Sequence, residues 1–448
     1  MWFNGSLTAG IREGYSGFVT SPWANWAGNQ TARATRVAHP STTAELAVVL
    51  RAAADEGLRV KAVGSGHSFT PTALTDGVRI ELDQMASLVR VEGNLVTVQA
   101  GMKLATLNAT LAAHGLAMPN LGDIDAQTIS GALSTGTHGT GAAYGCLSTF
   151  IEALELVTAD GAVVRCSAST QPDLFAAARV NIGALGVLTE VTLRCVPAFI
   201  LQADERPAPL SDVWSGLETH IASNDHFEFY WFPYTDRVQM KRNNIVPASD
   251  HPLAGWRRWL DDDFLSNTVF GGACRLGRAL PSTVPTISRV SARALSARTY
   301  TAASHEVFCT PRRVRFVEME YGLPRAALRE AFDGLRSVIA GLPYKIQFPV
   351  EVRFTAADDI WLSHGHGRDN AYIAIHQYVG APFEEYFRRF EAVTTPLGGR
   401  PHWGKMNFRD AESLAAAYPR FTDFTALRDK LDPGRLFANT YTDRVLGA

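Results

Sequence analysis

Apolar and polar positions along the chain fall into two textures that meet near Pro197. Before that point the periodic runs are short. Arg59-Val60-Lys61-Ala62-Val63, Val78–Leu82 and Leu95–Gln99 are brief and rich in β-formers, and each predicts a strand. An apolar stripe over Ala44–Glu56 predicts a helix, opened by Thr42 and Glu45 at capping-box spacing and closed by Gly57. A second helix is expected from Lys103 to about His114, closed by Gly115. Ala153–Thr158 and Ala162–Cys166 flank Ala159-Asp160-Gly161, a hairpin signal, and Gly183-Ala184-Leu185-Gly186 turns into an alternating strand ending at Arg194. This mixture describes an α+β nucleotide-binding domain through about residue 198.

After Pro197 the runs are longer and more aromatic. Phe227–Phe232 and Arg313–Tyr321 alternate as strands do, Pro324 is expected to open a helix to about Ala340, and Ile346–Phe354 and Ala371–Tyr378 read as further strands. Helices follow near Asp410–Tyr418 and Thr422–Leu431. A chain of 448 residues exceeds one ordinary core. The expected division is 1–198, 199–399, and a segment 400–448 that returns to the first domain. Trp23–Gln30 is an irregular aromatic lead-in to which the sequence assigns no role.

Composition narrows the class. With 46% hydrophobic and 19% charged residues the protein is globular, and a formal charge of −2 without a polybasic run argues against nucleic acid or an anionic membrane as partner. The pairs Arg257-Arg258 and Arg388-Arg389 read as solvated faces. Five scattered cysteines fit reduced thiols and a cytoplasmic location. Met1–Gly10 lacks the features of a leader, and no stretch is apolar enough for an integral membrane segment, which leaves peripheral attachment open.

The chemistry starts at Val63-Gly64-Ser65-Gly66-His67-Ser68-Phe69, where two glycines let successive amides converge on an anion such as phosphate. Phe69 replaces the third glycine of the Rossmann fingerprint and Pro71 blocks the helix that should follow, so this is a different dinucleotide turn. Ser130, Gly131, Ala132, Ser134, Thr135, Gly136, Thr137, Gly139, Thr140 and Gly141 form a second small-residue run that lets backbone approach a flat ligand. In Val350–Phe354, period two sends Glu351 and Arg353 to one face. Such a pair either neutralises itself or flanks a polar substrate. A reading from another class takes His364, His366 and His376 as ligands of a metal-dependent hydrolase, although no carboxylate pattern completes that site.

Gly64-Ser65-Gly66-His67-Ser68, Thr137-His138-Gly139-Thr140-Gly141 and His402-Trp403-Gly404-Lys405, recurring in this order, resemble the sugar-1,4-lactone oxidases of the vanillyl-alcohol-oxidase flavoprotein superfamily, the gulonolactone and arabinonolactone oxidases and the related alditol oxidases. The resemblance spans nearly the whole chain and implies a two-domain fold, an FAD-binding domain under a cap with an antiparallel sheet. It implies FAD, joined covalently through His67 to the flavin 8α-methyl. Val63, Gly64, Ser65, Gly66, Ser68, Gly122, Asp123, Ser130, Ser134, Gly136, Thr137, His138, Gly139, Thr140, Gly141, Gly186, Val187 and His402 become expected cofactor contacts. Glu351, Arg353 and Lys405 become expected catalytic residues. His376 joins them on a weaker match, since the alditol oxidases carry Thr there; they also carry Ser where this chain has Asp123, which argues against simple alditol specificity. Gly122 lacks the methyl that relatives slow towards O₂ carry. The implied reaction is oxidation of an aldono-1,4-lactone at a ring CH–OH, with O₂ reduced to H₂O₂. Alternatives are an alditol substrate, or an artificial or cytochrome electron acceptor.

Overall fold

A computed structural model describes residues 22–448. The Met1–Gly10 stretch read above lies outside them. Arg36–Ala38, Val78–Glu81 and Val60–Val63 form a small parallel sheet in that spatial order. The crossover helix Thr43–Asp55 starts where Thr42 accepts from the Glu45 amide at 3.1 Å, and buries Leu46, Val49, Leu50 and Ala53. Five antiparallel strands follow in the order Val163–Ser167, Ile151–Val157, Val187–Arg194, Leu95–Gln99, Leu88–Glu92. The expected hairpin is thus present.

The largest sheet has eight antiparallel strands, with His226–Trp231, Val350–Thr355, Asn370–Tyr378 and Phe316–Pro324 adjacent in it. Its two faces differ completely. Phe227, Phe229, Trp231, Val350, Val352, Phe354, Ile373, Ile375, Val317 and Met319 point one way and bury against Phe332 and Leu335 of the helix Leu328–Ala340 and Phe387 and Phe390 of Glu384–Thr394. Burying aromatic and aliphatic side chains on that side contributes about 1.5–3 kcal/mol each. The alternate positions, Glu228, Tyr230, Glu351, Arg353, His376, Glu318 and Glu320, are therefore forced to the other face.

Several boundaries differ from expectation. Pro324 ends a strand, and the α-helix begins at Leu328 after a single 3₁₀ turn, because the Pro324 backbone stays extended in its ladder with Asn370. The strand expected from Ile346 begins at Val350, since Pro349 lacks the amide a ladder needs. The small-residue run contains a short helix, Ile129–Ser134, capped by Thr128. The long pair Ile200–Pro209 and Arg237–Val246 and the helices between 255 and 294 were not foreseen. Trp403, Leu414, Tyr418, Phe424, Tyr441 and Val445 share the hydrophobic core of the N-terminal sheets. Among the described residues no helix is long and apolar enough to cross a membrane.

Candidate active site

The loop expected to hold an anion leaves the end of Val60–Val63 and borders a trough of about 630 Å³. Gly64 sits so close to Thr128 that a Cβ there would lie 2.3 Å from its Oγ1, and Gly66 holds φ +70°. Val63, Ser65, Ser68, Ser130, Ser134, Gly186 and Val187 line the same trough. The buried Ser65 hydroxyl has no partner there, and the trough walls carry Lys61 and Lys103. An unpaired donor, two lysines and a backbone cradle that a methyl would fill suit a nucleotide with phosphates. Lys61 was not singled out from the sequence. Burial pushes its ammonium down to about 7 against the pull of Asp432 and Asp443, so an arriving anion would favour its charged form.

The aromatic lead-in now has a role. Asn25 Nδ2 donates to the Ser68 carbonyl at 2.9 Å, Trp26 N to that of Gly66 at 2.8 Å, and Asn29 Nδ2 and Gln30 Nε2 both to that of Phe69 at 3.0 Å. The Trp26 ring stacks on His67 at 5.6 Å. From the other side Phe69 N donates to the Gly404 carbonyl at 2.7 Å and Thr70 Oγ1 to that of Trp403 at 3.0 Å. The C-terminus completes the clamp: Asn439 Nδ2 donates to the carbonyls of Pro71 and Leu74 at 2.9 Å, and Val60 N donates to that of Leu436 at 2.7 Å.

A second cavity, about 500 Å³, adjoins the trough and shares His67, Ser68, Gln127 and Thr135 with it. Its walls bring together Gly122, Asp123, Thr137, His138, Glu351, Arg353, His376, His402 and Lys405. Gly136, Gly139, Thr140 and Gly141 line neither cavity. Gly136 packs on the His364 ring, and a Cβ on Gly139 would fall 2.1 Å from the Leu121 carbonyl oxygen. Thr140 Oγ1 accepts from Phe354 N at 3.2 Å and donates to the Phe227 carbonyl, while Gly141 N donates to the Phe354 carbonyl at 2.7 Å. These small residues bind loop to sheet by close approach of backbone.

Arg353 is the hub of the chamber. Its guanidinium pairs with Asp123 and Glu351, and its Nε donates to Glu228 at 2.9 Å. Tyr230 donates to Glu351 at 2.6 Å, and Arg312 pairs with Asp123 at 2.9 Å. The three carboxylates converge closely enough for a metal ion, but the guanidinium already bonds to each. Burial raises the Glu351 carboxyl to about 7; Arg353 opposes this, and Asp123 and Glu228 reinforce it. Asp123 goes the other way: burial resists its charge, and Arg353 and Arg312 overcome it to hold the carboxyl well below its usual range. Two carboxylates of one network are thereby split into an anion and a group that exchanges its proton near neutrality.

Across the chamber Lys405 pairs with Glu318 and lies 3.9 Å from Glu320. Burial works against its ammonium, but these carboxylates raise it further, so it stays charged. His376 Nε2 lies 3.3 Å from Glu318, and His138 Nε2 3.4 Å from Glu320. His402 accepts from Gly404 N at 3.0 Å, and burial and His364 keep it neutral. His364, His366 and His376 do not converge with carboxylates as a metal site; His138, Glu320 and His402 do, among the described residues. Tyr230, Glu228, Glu318 and Glu320 were missed, although the signal existed: they are the polar alternates of runs already read as strands.

Residues 191–445 match the family model described as D-arabinono-1,4-lactone oxidase, and residues 34–167 match that of the FAD binding domain. The chain belongs to the D-arabinono-1,4-lactone oxidase family. It is 43% identical over 427 residues to an L-gulono-1,4-lactone dehydrogenase of Mycobacterium tuberculosis, covering 95% of this chain and 99% of that one. It is 35% identical over 441 residues to the L-gulonolactone oxidase of Bos taurus, covering 96% and 99%. A solvent-stable cholesterol oxidase superposes with a TM-score of 0.80 at 19% identity, over 95% of this chain and 97% of that one, which shows a shared fold. Members of the family are FAD-linked oxidoreductases acting on CH–OH donors.

Proposed function

We propose that this chain oxidises the ring CH–OH beside the carbonyl of an aldono-1,4-lactone of the L-gulono or D-arabinono type to a 2-keto product. One observation carries the reading: a buried carboxyl, Glu351, titrating at about 7 beside a fixed guanidinium, in a chamber continuous with the nucleotide trough. The substrates in the relatives' names, L-gulono-1,4-lactone and L-gulonolactone, agree with it. FAD, when bound, supplies the two-electron acceptor for the hydride that leaves the ring carbon.

Glu351 takes the hydroxyl proton as the C–H bond is lost, and a carboxyl poised near neutrality is matched to that task. Tyr230 fixes the accepting oxygen through its 2.6 Å hydrogen bond. Arg353 and Lys405 hold the polyol and stabilise negative charge developing on oxygen, and His376 offers a further polar contact from the wall. Burial, then Lys405 and Lys103, lower the His67 imidazole, so it is neutral and nucleophilic; this supports a covalent bond to FAD. Gly122, on the chamber wall, supports O₂ as acceptor and H₂O₂ as product. The five unpaired thiols support a reducing, cytoplasmic compartment.

A panel of gulono-, galactono- and arabinono-lactones against xylitol and sorbitol, with and without O₂, tests substrate and acceptor. Faster turnover of polyols than of every lactone would overturn the substrate. For the bond, acid-precipitated protein should stay yellow, with added mass on the His67 peptide; FAD free in the supernatant of fully loaded protein would refute it, and His67→Ala should still fold.

A further inference from the structure

The carboxylate network continues beyond the chamber, and the proposed reaction makes no use of the continuation. Strand register lays it out on one face of the eight-stranded sheet. Tyr230 stands opposite Glu351. Glu228, two residues before Tyr230, stands opposite Lys241; Lys241 stands opposite Glu205, and Glu205 opposite Arg298 of the edge strand Arg298–Ala303. Glu351 and Tyr230 line the chamber, whereas Glu228, Lys241, Glu205 and Arg298 do not. Glu228 and Glu205 are nevertheless buried, and Arg298 donates to both oxygens of Glu205 at 2.9 Å.

Tyr230 joins the two parts. Its hydroxyl lies 2.6 Å from Glu351 Oε1 and 3.2 Å from Glu228 Oε1. A hydroxyl carries one hydrogen, so it donates to one carboxylate while its oxygen stays able to accept from the other. Tyr230 and Arg353 Nη2 both meet Glu351 at Oε1, which leaves Oε2 for the substrate hydroxyl. Glu228 takes Arg353 Nε on Oε2 at 2.9 Å, and its Oε1 lies 3.4 Å from Lys241 Nζ. Burial works against the Lys241 ammonium, but Glu228 and Glu205 raise it above its ordinary value, so it stays a cation. The Lys241 side chain is 24% exposed against 8% for Glu228, so the row meets solvent at Lys241.

The reaction needs such a way out. Once the hydride has carried off both electrons of the C–H bond, the hydroxyl proton sits on a buried carboxyl in a chamber filled by product. We infer that Tyr230 and Glu228 relay that proton from Glu351 to water beside Lys241. The inference rests on Glu351 being the base. A half-turn of its carboxyl exchanges the two oxygens and presents the O–H to Tyr230. That O–H bond breaks as a new one forms on the phenol oxygen, the phenol's own hydrogen passes to Glu228 Oε1, and Glu228 gives it to water. One proton enters the row, one leaves it, and every electron pair stays on its oxygen. Burial, then the charges of Asp123, Glu228 and Glu351, push the Tyr230 hydroxyl well up, so it hands hydrogen on without resting as a phenolate. Asp123 Oδ2 is a poorer acceptor, 3.5 Å from the hydroxyl and already taking Arg312 at 2.9 Å.

The test is anaerobic stopped flow of the flavin-loaded protein with L-gulono-1,4-lactone, in weak buffer containing phenol red, which reads flavin bleaching and proton release in one reaction. In wild type the proton should reach solution in step with bleaching. In Tyr230→Phe, which keeps the ring and removes the hydroxyl, release should lag bleaching about tenfold or more, because the proton then leaves only with product. Glu228→Gln should show the same lag; should it fail to fold, the timing in Tyr230→Phe decides alone. A residue that merely props Glu351 would slow both signals together. Release in step with bleaching in Tyr230→Phe, at normal or reduced rate, would therefore overturn the relay, as would a lag in Tyr230→Phe with none in a folded Glu228→Gln. Bleaching of Glu351→Gln at the wild-type rate would overturn the proposed base and the relay with it, whereas slow bleaching there beside an unlagged Tyr230→Phe would overturn the relay alone.

Discussion

The nucleotide trough and the adjoining chamber are built from opposite materials. The trough is backbone and small residues held in place by clamping loops, and its exclusions are steric: a methyl at Gly64 meets Thr128. The chamber is side chains, chiefly carboxylates and cations on alternate positions of four adjacent strands, and its constraints are electrostatic. The first kind of site is written as a local motif. The second exists only when strands far apart in sequence reach register, Tyr230 opposite Glu351 and Glu351 opposite Ala374.

If the chamber is electrostatic, removing its hub should do the most damage. Arg353→Gln strands Asp123, Glu228 and Glu351 without their shared cation and should cost about 3–5 kcal/mol of stability, read by chemical denaturation. Loss below about 1 kcal/mol would mean that Arg312 and solvent suffice. Glu351→Gln should behave differently: native flavin loading, with reduction by substrate slowed by roughly a hundredfold or more in stopped flow. Its stability should also carry a sign. The folded Glu351 carboxyl lies above its ordinary 4.5, so its stabilising share is complete below that value and lost as pH rises through about 7. The Gln variant should therefore gain on wild type above pH 7. A variant destabilised at every pH with near-normal reduction would reduce Glu351 to a structural ion pair.

For the trough, the matching challenge is steric. Gly64→Ala should weaken FAD binding by about 1–3 kcal/mol, and adding Thr128→Ala should restore much of it by removing the atom in the way. Failure of the double variant to recover would move the cause away from packing.

How far the two regions were legible follows from the same contrast. Gly64 to Ser68, the hairpin around Asp160 and the helix capped by Thr42 rest on neighbours in sequence, and they appear where the pattern placed them. Glu351 and Arg353 were readable as a face of one strand. That Glu228 and Tyr230 are the polar alternates of a strand was readable; that they would complete the face of Glu351 was not, since it depends on strand order. The Thr140–Gly141 segment misled for a related reason: smallness licenses close approach of backbone to ligand or to backbone, and only the fold decides which.

Smaller effects refine the chamber. Substrate oxidation should fall about tenfold per pH unit below about 7, as protonation removes the base, and level off above it. A profile flat from pH 5 to 8 would remove Glu351 from proton transfer. Gly122→Ala should give the mildest change, a several-fold slowing of flavin reoxidation by O₂ with reduction by substrate spared. The added Cβ would lie 3.2 Å from the His138 carbonyl oxygen, so a small shift admits it. Equal reoxidation rates would take Gly122 out of the oxygen path.

The clamp on the His67 loop has a consequence for biogenesis. Asn25 and Trp26, made before the motif, hold one side of the loop, whereas Gly404, Leu436 and Asn439, made long after it, hold the other. A nascent chain halted near residue 400 has the whole glycine motif but only half of what keeps it shaped. Flavin capture should therefore wait for synthesis of the segment from Gly404 to Asn439: chains stalled before Gly404 should retain no flavin on purified ribosome complexes, and the same chains extended beyond Asn439 and released should acquire it.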